Sequence, residues 1–225
     1  LFGDKVQARA LANKLDIPTV LGSPAAIAAP GDAAAAAESI GYPVMLKAAA
    51  GGGGRGMRAV MEPSELADAF ERCQSEASAA FGDGSLFLER LVVDPRHIEV
   101  QVMADNTGAA VHFFERDCSV QLRNQKVIEI APAANLDPDL RAQILADALT
   151  LISGASYHNA GTVEFLVEPA TGDYFFIECN PRIQVEHTIT EQVMGTDLVQ
   201  TQFRVAMGES LASLGLGDQA AVGEP

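Results

Sequence analysis

Residues 43–61 read Pro43-Val44-Met45-Leu46-Lys47-Ala48-Ala49-Ala50-Gly51-Gly52-Gly53-Gly54-Arg55-Gly56-Met57-Arg58-Ala59-Val60-Met61. By letter, Gly51 to Gly56 satisfies the G-x-G-x-x-G pattern of a dinucleotide fold, which needs a helix straight after it. Met57-Arg58-Ala59-Val60 reads instead as a strand, and the Gly-Lys-Ser/Thr ending of a P-loop is missing. Apolar residues 43–48 form a strand as well, so the glycines sit in a loop between two strands. Such a loop can fold over a triphosphate, because glycine N–H groups approach without side-chain obstruction and Lys47 at the strand end adds a positive charge. A glycine run alone is equally a plain surface loop.

Upstream, residues 4–15 space Val6, Ala10, Leu11 and Leu15 as a helix that Asp4 can cap and Pro18 ends. Residues 17–21 read as a short strand, and residues 30–40 as an Ala-rich helix closed by Gly41. Downstream, Pro63 opens a helix to residue 81 whose apolar face is Leu66, Ala69, Phe70 and Cys73. Strands are expected at 86–91, 97–104 and 109–115, the last two joined by an Asp105-Asn106-Thr107-Gly108 turn. A helix over 136–156, a hairpin of 161–167 with 174–179, and a helix over 189–207 complete the pattern. From Leu211 the pattern decays into Gly, Ala, Asp and Pro, which predicts a frayed tail.

With 225 residues, 48% of them hydrophobic, the chain can bury a core for one or two domains. The net charge of −15 argues against nucleic acid or anionic lipid as a partner. Cys73, Cys118 and Cys179 stand far apart with no CxxC spacing, which points to a reducing cytoplasm. No stretch approaches the ~18 apolar residues of a membrane span. Leu1 runs almost directly into a helical pattern without an initiator Met, so the chain is expected to be a segment of a longer polypeptide.

The hairpin carries the sharpest chemical signal. Glu164 in Thr162-Val163-Glu164-Phe165-Leu166 and Glu178 in Phe175-Phe176-Ile177-Glu178-Cys179-Asn180 are lone carboxylates on apolar strands. A turn centred near Thr171 sets them opposite one another, with Asn180 following on the same side. Like charges directly opposite destabilise a sheet, and a hard cation such as Mg²⁺ resolves the conflict through carboxylate and amide oxygens. The plainer reading points both glutamates to solvent from an edge hairpin. Further on, Asn180-Pro181-Arg182-Ile183-Gln184-Val185-Glu186-His187 offers Arg182 to a planar oxyanion and Glu186 as a base. Residues 116–126 concentrate donors in an acidic chain, which suits phosphate or carbonate oxygens or else a solvated face. His97 and Glu99 on an alternating strand read by themselves as structural.

Together these segments resemble the ATP-grasp region of biotin carboxylase, the component of biotin-dependent carboxylases that act on acetyl-CoA, propionyl-CoA, pyruvate or urea. The motifs occur in family order: Gly3-Asp4-Lys5, Lys47 with the glycines, Glu89, Pro95-Arg96-His97-Ile98-Glu99, Glu115-Arg116-Asp117-Cys118-Ser119, Gln125-Lys126, Gly161-Thr162-Val163-Glu164-Phe165 and the run from Asn180 to His187. The resemblance implies an α/β (α+β) ATP-grasp fold. It divides into a lead-in segment (1–44), a small glycine-loop lid (45–95), a main subdomain (96–211) and a tail (212–225), without the family's N-terminal and C-terminal subdomains.

The same resemblance implies the ligands. Lys5 and Lys47 contact ATP phosphates, Gly53 and Gly54 cover them, and Glu89, Arg90, Leu91 and Val92 form the hinge against adenine. His97, Gln121 and Asn124 lie near the ribose. Glu164, Glu178 and Asn180 hold Mg²⁺ (or Mn²⁺). Lys126, Arg182, Gln184 and Val185 surround bicarbonate, which Glu186 deprotonates. Attack on the γ-phosphoryl group gives carboxyphosphate, which supplies CO₂ to biotin on a carrier domain that also visits a carboxyltransferase module. A homodimer belongs to the full-length enzyme, and the isolated piece is expected to bind nucleotide weakly without carboxylating biotin. Two departures stand out: Asn124 where many members have His, and Leu122 where they have Arg. The rival readings are another ATP-grasp ligase, such as a carbamoyl-phosphate synthase large subunit or an amino-acid ligase, and a non-catalytic nucleotide-binding module.

Overall fold

The computed structural model describes residues 1–49 and 56–225, so Gly53 and Gly54 lie outside the described residues. Strand β1 (Val44–Ala48) stands between β2 (Met57–Val60) and β3 (Leu86–Arg90), antiparallel to both. Its alternation is strict. Val44, Leu46 and Ala48 are buried, while Met45 and Lys47 face the other side. The buried face packs against α2 (Pro30–Ile40) and α3 (Leu66–Phe81), the latter entered through a 3-10 turn at Pro63–Glu65. This core takes in Ile27, Ala33 and Ala37 beside Leu46 and Phe70. Helix α1 (Lys5–Lys14) packs instead in a second core, through Ala8 and Ala12. Residues 1–44 therefore divide between two cores, α2 packing with the three-stranded sheet.

The second core is a five-stranded antiparallel sheet covered by α4 (Pro138–Gly154), with strand order β6-β5-β4-β7-β8. Here β4 is Arg96–Ala104, β5 is Ala110–Leu122, β6 is Gln125–Ile130, β7 is Asn159–Val167 and β8 is Tyr174–Asn180. Ile98, Val100, Val163 and Phe165 on the sheet meet Ile144, Ala148, Leu151 and Ile152. The expected turn between β4 and β5 is present. Asp105 Oδ1 accepts from Thr107 N at 2.8 Å and from Ala109 N at 3.2 Å.

Four sequence expectations are corrected. Residues 17–21 are no strand but make isolated bridges, Thr19 with Phe176 and, just beyond, Gly22 with Glu89. Pro18 has no N–H to extend a ladder, although its carbonyl accepts from Phe176 N at 2.7 Å. Strand β5 runs past residue 115 to Leu122 and pairs with β6 through a turn in which Arg123 and Asn124 both have positive φ (53° and 62°). Expected helix 189–207 is two helices, α5 (His187–Met194) and α6 (Leu198–Ala206). Gly195 at φ 62° ends the first and Asp197 caps the second, accepting from Gln200 N. Residues 212–225 are not a frayed tail. Helix α7 (Gln219–Val222) docks on β5, where the Gln219 side chain exchanges two hydrogen bonds with the His112 backbone. Leu211 and Val222 join a third core with Val111, Phe113 and Leu198. Sparse but well-placed apolar residues anchor this segment, which composition alone conceals.

Candidate functional site

The paired carboxylates are where the hairpin argument puts them, with Glu164 opposite Glu178 and Asn180 opposite Thr162. A β-bulge between Glu164 and Phe165 shifts the register beyond them. Asn180 bridges the two, its Nδ2 donating to Glu164 at 2.9 Å and standing 3.4 Å from Glu178. Lys5 at the start of α1 lies 3.4 Å from the other Glu178 oxygen. Asp4 fixes that helix start by accepting from Val6 N and Gln7 N.

Lys126 on β6 is the centre of the site. Its ammonium donates to Glu164 at 2.9 Å, to Glu186 at 2.7 Å and to Glu99 on β4. Burial lowers its pKa, but the attraction of Glu164 and Glu99 and the hydrogen bonds to Glu186 and Glu99 outweigh it, holding the group above the ordinary lysine range. Burial pushes Glu186 up, yet its bond from Lys126 leaves it below the usual carboxylate range. Glu164 is lowered as well. Against its burial it accepts from His97 Nε2 at 2.9 Å and from Lys126. Gln121 Nε2 donates to His97 Nδ1 at 3.0 Å, which selects the tautomer carrying its proton on Nε2.

Lys5, Lys47, Glu89, Arg90, Leu91, Val92, His97, Gln121, Asn124, Glu164 and Glu178 all line one cavity of about 960 Å³. That volume accommodates a nucleotide. Lys47 is paired with Glu89. Arg90 spends its guanidinium on both oxygens of Glu168 at 3.2 Å and on the face of Phe175, so the residue lines the cavity while its charge is engaged elsewhere. Lys126, Asn180 and Gln184 stand behind this wall, joined to it through Glu164, which also accepts from Gln184 Nε2 at 3.2 Å. Arg182 is exposed and donates to Asn180 Oδ1 at 2.8 Å. Val185 is 89% exposed and its side chain is not drawn into the cluster.

The sequence reading assigned no individual role to two buried residues, Glu99 and Arg116, or to the half-buried Arg9. Glu99, taken there as structural, is a direct partner of Lys126. Arg116 is fully buried, donating to Glu99 at 2.6 Å and to Gln101 and Thr190 at 2.9 Å. Arg9 on α1 reaches Glu89 across the cavity. For Glu99 and Arg116 the available signal was charge inside a strand, the same signal that identified Glu164, whereas Arg9 on a helix carried none.

The carboxylate oxygens of Glu164 and Glu178 fit a hard cation, whereas Asn180 turns its Nδ2 toward them and its Oδ1 to Arg182, so its amide would have to turn over to add an oxygen. Glu178 keeps spare accepting capacity, its recorded side-chain contacts lying at 3.4 Å, and it opens on the cavity beside Glu164. The tighter groups His97–Glu99–Glu164 and Glu99–Cys118–Glu186 surround the position that the Lys126 ammonium already fills. Gln184 Oε1 is buried and, among the described residues, without a donor, as expected of a group that awaits a ligand.

A small three-stranded lobe and a larger antiparallel sheet, with lysines and paired carboxylates in the cavity between them, define an ATP-grasp domain. The chain belongs to the family described as carbamoyl-phosphate synthase L chain, ATP binding domain, which matches residues 4–214. Within that family its likeness is to biotin carboxylase. It is 54% identical over 215 residues to pyruvate carboxylase of Aspergillus niger, covering 96% of this chain and 18% of that protein. A Campylobacter jejuni biotin carboxylase in complex with β,γ-ATP superposes with a TM-score of 0.91 at 45% identity, covering 94% of this chain and 47% of that one. The biotin carboxylase domain of Hydrogenobacter thermophilus 2-oxoglutarate carboxylase, with MgADP and bicarbonate, gives 0.92 at 42%, covering 98% and 48%. The chain thus spans about a fifth of the length of the curated relatives it matches.

Proposed function

We propose that this chain is the part of a biotin carboxylase in which ATP activates bicarbonate for transfer to biotin. The observation that carries the reading is the Lys126 ammonium, held by Glu99, Glu164 and Glu186 beside a nucleotide-sized cavity. ATP occupies the cavity with adenine toward residues 89–92, the ribose near His97, Gln121 and Asn124, and the phosphates toward Lys5 and Lys47. Gly53 and Gly54 cover the phosphates in this reading. A Mg²⁺ or Mn²⁺ ion held by Glu164, Glu178 and Asn180 supplies neutralisation of phosphate charge.

Bicarbonate lies between Lys126, Arg182, Gln184 and the Val185 backbone. Arg182 offers a planar fork to two of its oxygens, the Gln184 side-chain amide lies beside the anion, and its hydroxyl faces Glu186. Glu186 takes the hydroxyl proton, and the oxygen so freed attacks the γ-phosphorus as the bond to ADP breaks. A depressed pKa ensures that Glu186 is ionised but makes it a weak base. Its basicity is regained as the Lys126 hydrogen bond shifts to the carbonate oxygens, where charge develops. Carboxyphosphate then splits to phosphate and CO₂, and the ureido nitrogen of biotin on a carrier domain gives its proton to that phosphate as it bonds the CO₂ carbon.

The identity to pyruvate carboxylases supports pyruvate as the final acceptor at a carboxyltransferase module of the parent polypeptide, and the dimer formed by the biotin carboxylase domain of 2-oxoglutarate carboxylase supports a dimer as its working form. Three buried free cysteines support a reducing compartment, which we take to be the cytoplasm. Because the chain covers 47% of a biotin carboxylase, we assign the isolated 225 residues no complete turnover. Bicarbonate-dependent biotin carboxylation by them alone would refute that assignment. In the full polypeptide, ADP release from ATP is expected to require bicarbonate and to rise with free biotin. ATP cleavage indifferent to both would refute the reading.

A further inference from the structure

Among the described residues, Glu89 has two cations for one charge. Its side chain is 11% exposed, Lys47 holds Oε2, and Arg9 Nη1 stands 3.5 Å from Oε1. Arg9 comes from α1, in the other core, and its Nη2 donates to the Val20 carbonyl at 2.6 Å, which aims the guanidinium at the cavity. Gly22 makes room for this approach. A Cβ there would lie 2.8 Å from Arg9 Nη1, 2.9 Å from Glu89 Cγ and 2.5 Å from the Leu88 carbonyl oxygen.

We propose that Arg9 is a positioning residue of the nucleotide site, keeping Glu89 compensated when phosphate draws Lys47 away from it. This rests on the reading of the cavity as an ATP site. A carboxylate this buried cannot lose its only cation without a penalty larger than the lost bond, because its desolvation is no longer offset. With Lys47 alone, nucleotide binding breaks a buried pair and leaves Glu89 bare. With Arg9 on the second oxygen, Glu89 passes from two partners to one, and Lys47 is free to turn to the phosphates. Arg9 itself stays in place, anchored at Val20.

The alternative is that Arg9 only ties α1 to the Thr19–Gly22 bridge segment. Its loss would then weaken the fold whatever occupies position 89.

The discriminating experiment is a double-mutant cycle on the full polypeptide, with Mg-ATP affinity read by calorimetry and folding checked by thermal melting. Arg9→Gln is expected to raise the Kd about tenfold, equivalent to roughly 1.4 kcal/mol, while Arg9→Lys, which keeps the charge, stays within about threefold of wild type. In a Glu89→Gln background, where no charge needs compensation, adding Arg9→Gln is expected to change the Kd less than about twofold. The double variant contains no unpaired carboxylate, so its comparison with Glu89→Gln stands even where Arg9→Gln alone does not fold. Equal affinity of wild type and Arg9→Gln, or the same loss in both backgrounds, overturns the role of Arg9. Absence of Mg-ATP binding by the wild type overturns the nucleotide reading and this role together.

Discussion

Lys126 carries one positive charge and faces three carboxylates, so its removal is expected to do more than delete a ligand contact. Lys126→Ala leaves Glu99, Glu164 and Glu186 without their shared cation, at 0%, 3% and 9% exposure. Bicarbonate-dependent ATP cleavage should fall by at least about a hundredfold, the scale for losing one preorganised donor. Because the Lys126 bond is what holds Glu186 low, its pKa should rise in the variant. The acid limb of the residual kcat/KM profile should therefore move to higher pH, and an unmoved limb would exclude Glu186 as the titrating base. A second residue bears on stability. Burial lowers His112 to about 4, with Glu115 pulling it up and Arg141 pushing it down. The unfolded imidazole titrates near 6.5, so between pH 6.5 and 4 the unfolded chain binds a proton that the folded chain refuses. The contribution is whole above 6.5 and lost as pH falls toward 4. His112→Asn is expected to shrink the drop in Tm over that interval, and a drop equal to wild type would assign acid sensitivity to other groups.

Among the elements, the hairpin β5–β6 illustrates what pattern reading can and cannot see. Alternation identified β4, β7 and β8, because their apolar residues face a core that demands period two. Strand β5 was expected to stop at residue 115, where Glu115-Arg116-Asp117 breaks the apolar run, yet Arg116 enters the buried charge cluster while Glu115 pairs with Arg141 and Asp117 with Arg96 outside it. Buried charge on β5 thus erased its strand signal. The turn was hidden for a related reason: two positive-φ residues usually announce themselves as Asn-Gly, and here they are Arg123-Asn124. Arginine in the left-handed region is strained by ~1 kcal/mol. Arg123→Asn is expected to recover about 0.5–1 kcal/mol of that, read from urea unfolding of the variant against wild type. No gain would mean that Arg123 makes a compensating contact. In contrast, Gly195 and Asp197 were present as plain stop and start signals between α5 and α6, and the continuous apolar pattern of residues 189–207 overrode them.

At the scale of the molecule, one cavity takes its walls from both cores. Met45, Lys47 and Glu89 belong to the three-stranded lobe, His97, Glu164 and Glu178 to the five-stranded sheet, and Lys5 and Arg9 to α1. The Arg90–Glu168 fork is a direct side-chain link between the lobes beside it. A ligand filling that space touches elements whose apolar cores are separate, so its binding energy adds to the cohesion between them as well as within them. At a free concentration a hundred times its Kd, a ligand that binds only the folded state adds about 2.7 kcal/mol. For a domain of this size each kcal/mol moves Tm by roughly 2–4 °C, so Mg-ATP is expected to raise it by about 5–10 °C. ATP with a chelator should give a smaller shift, since phosphate charge then meets Glu164 and Glu178 without a cation between them. Glu178→Gln removes one of those charges and one of the donors. It should lower the Mg-dependent increment while leaving the chelator value equal to wild type or above it. Identical shifts with and without Mg²⁺ would separate the nucleotide from the paired glutamates and remove the metal from Glu164, Glu178 and Asn180.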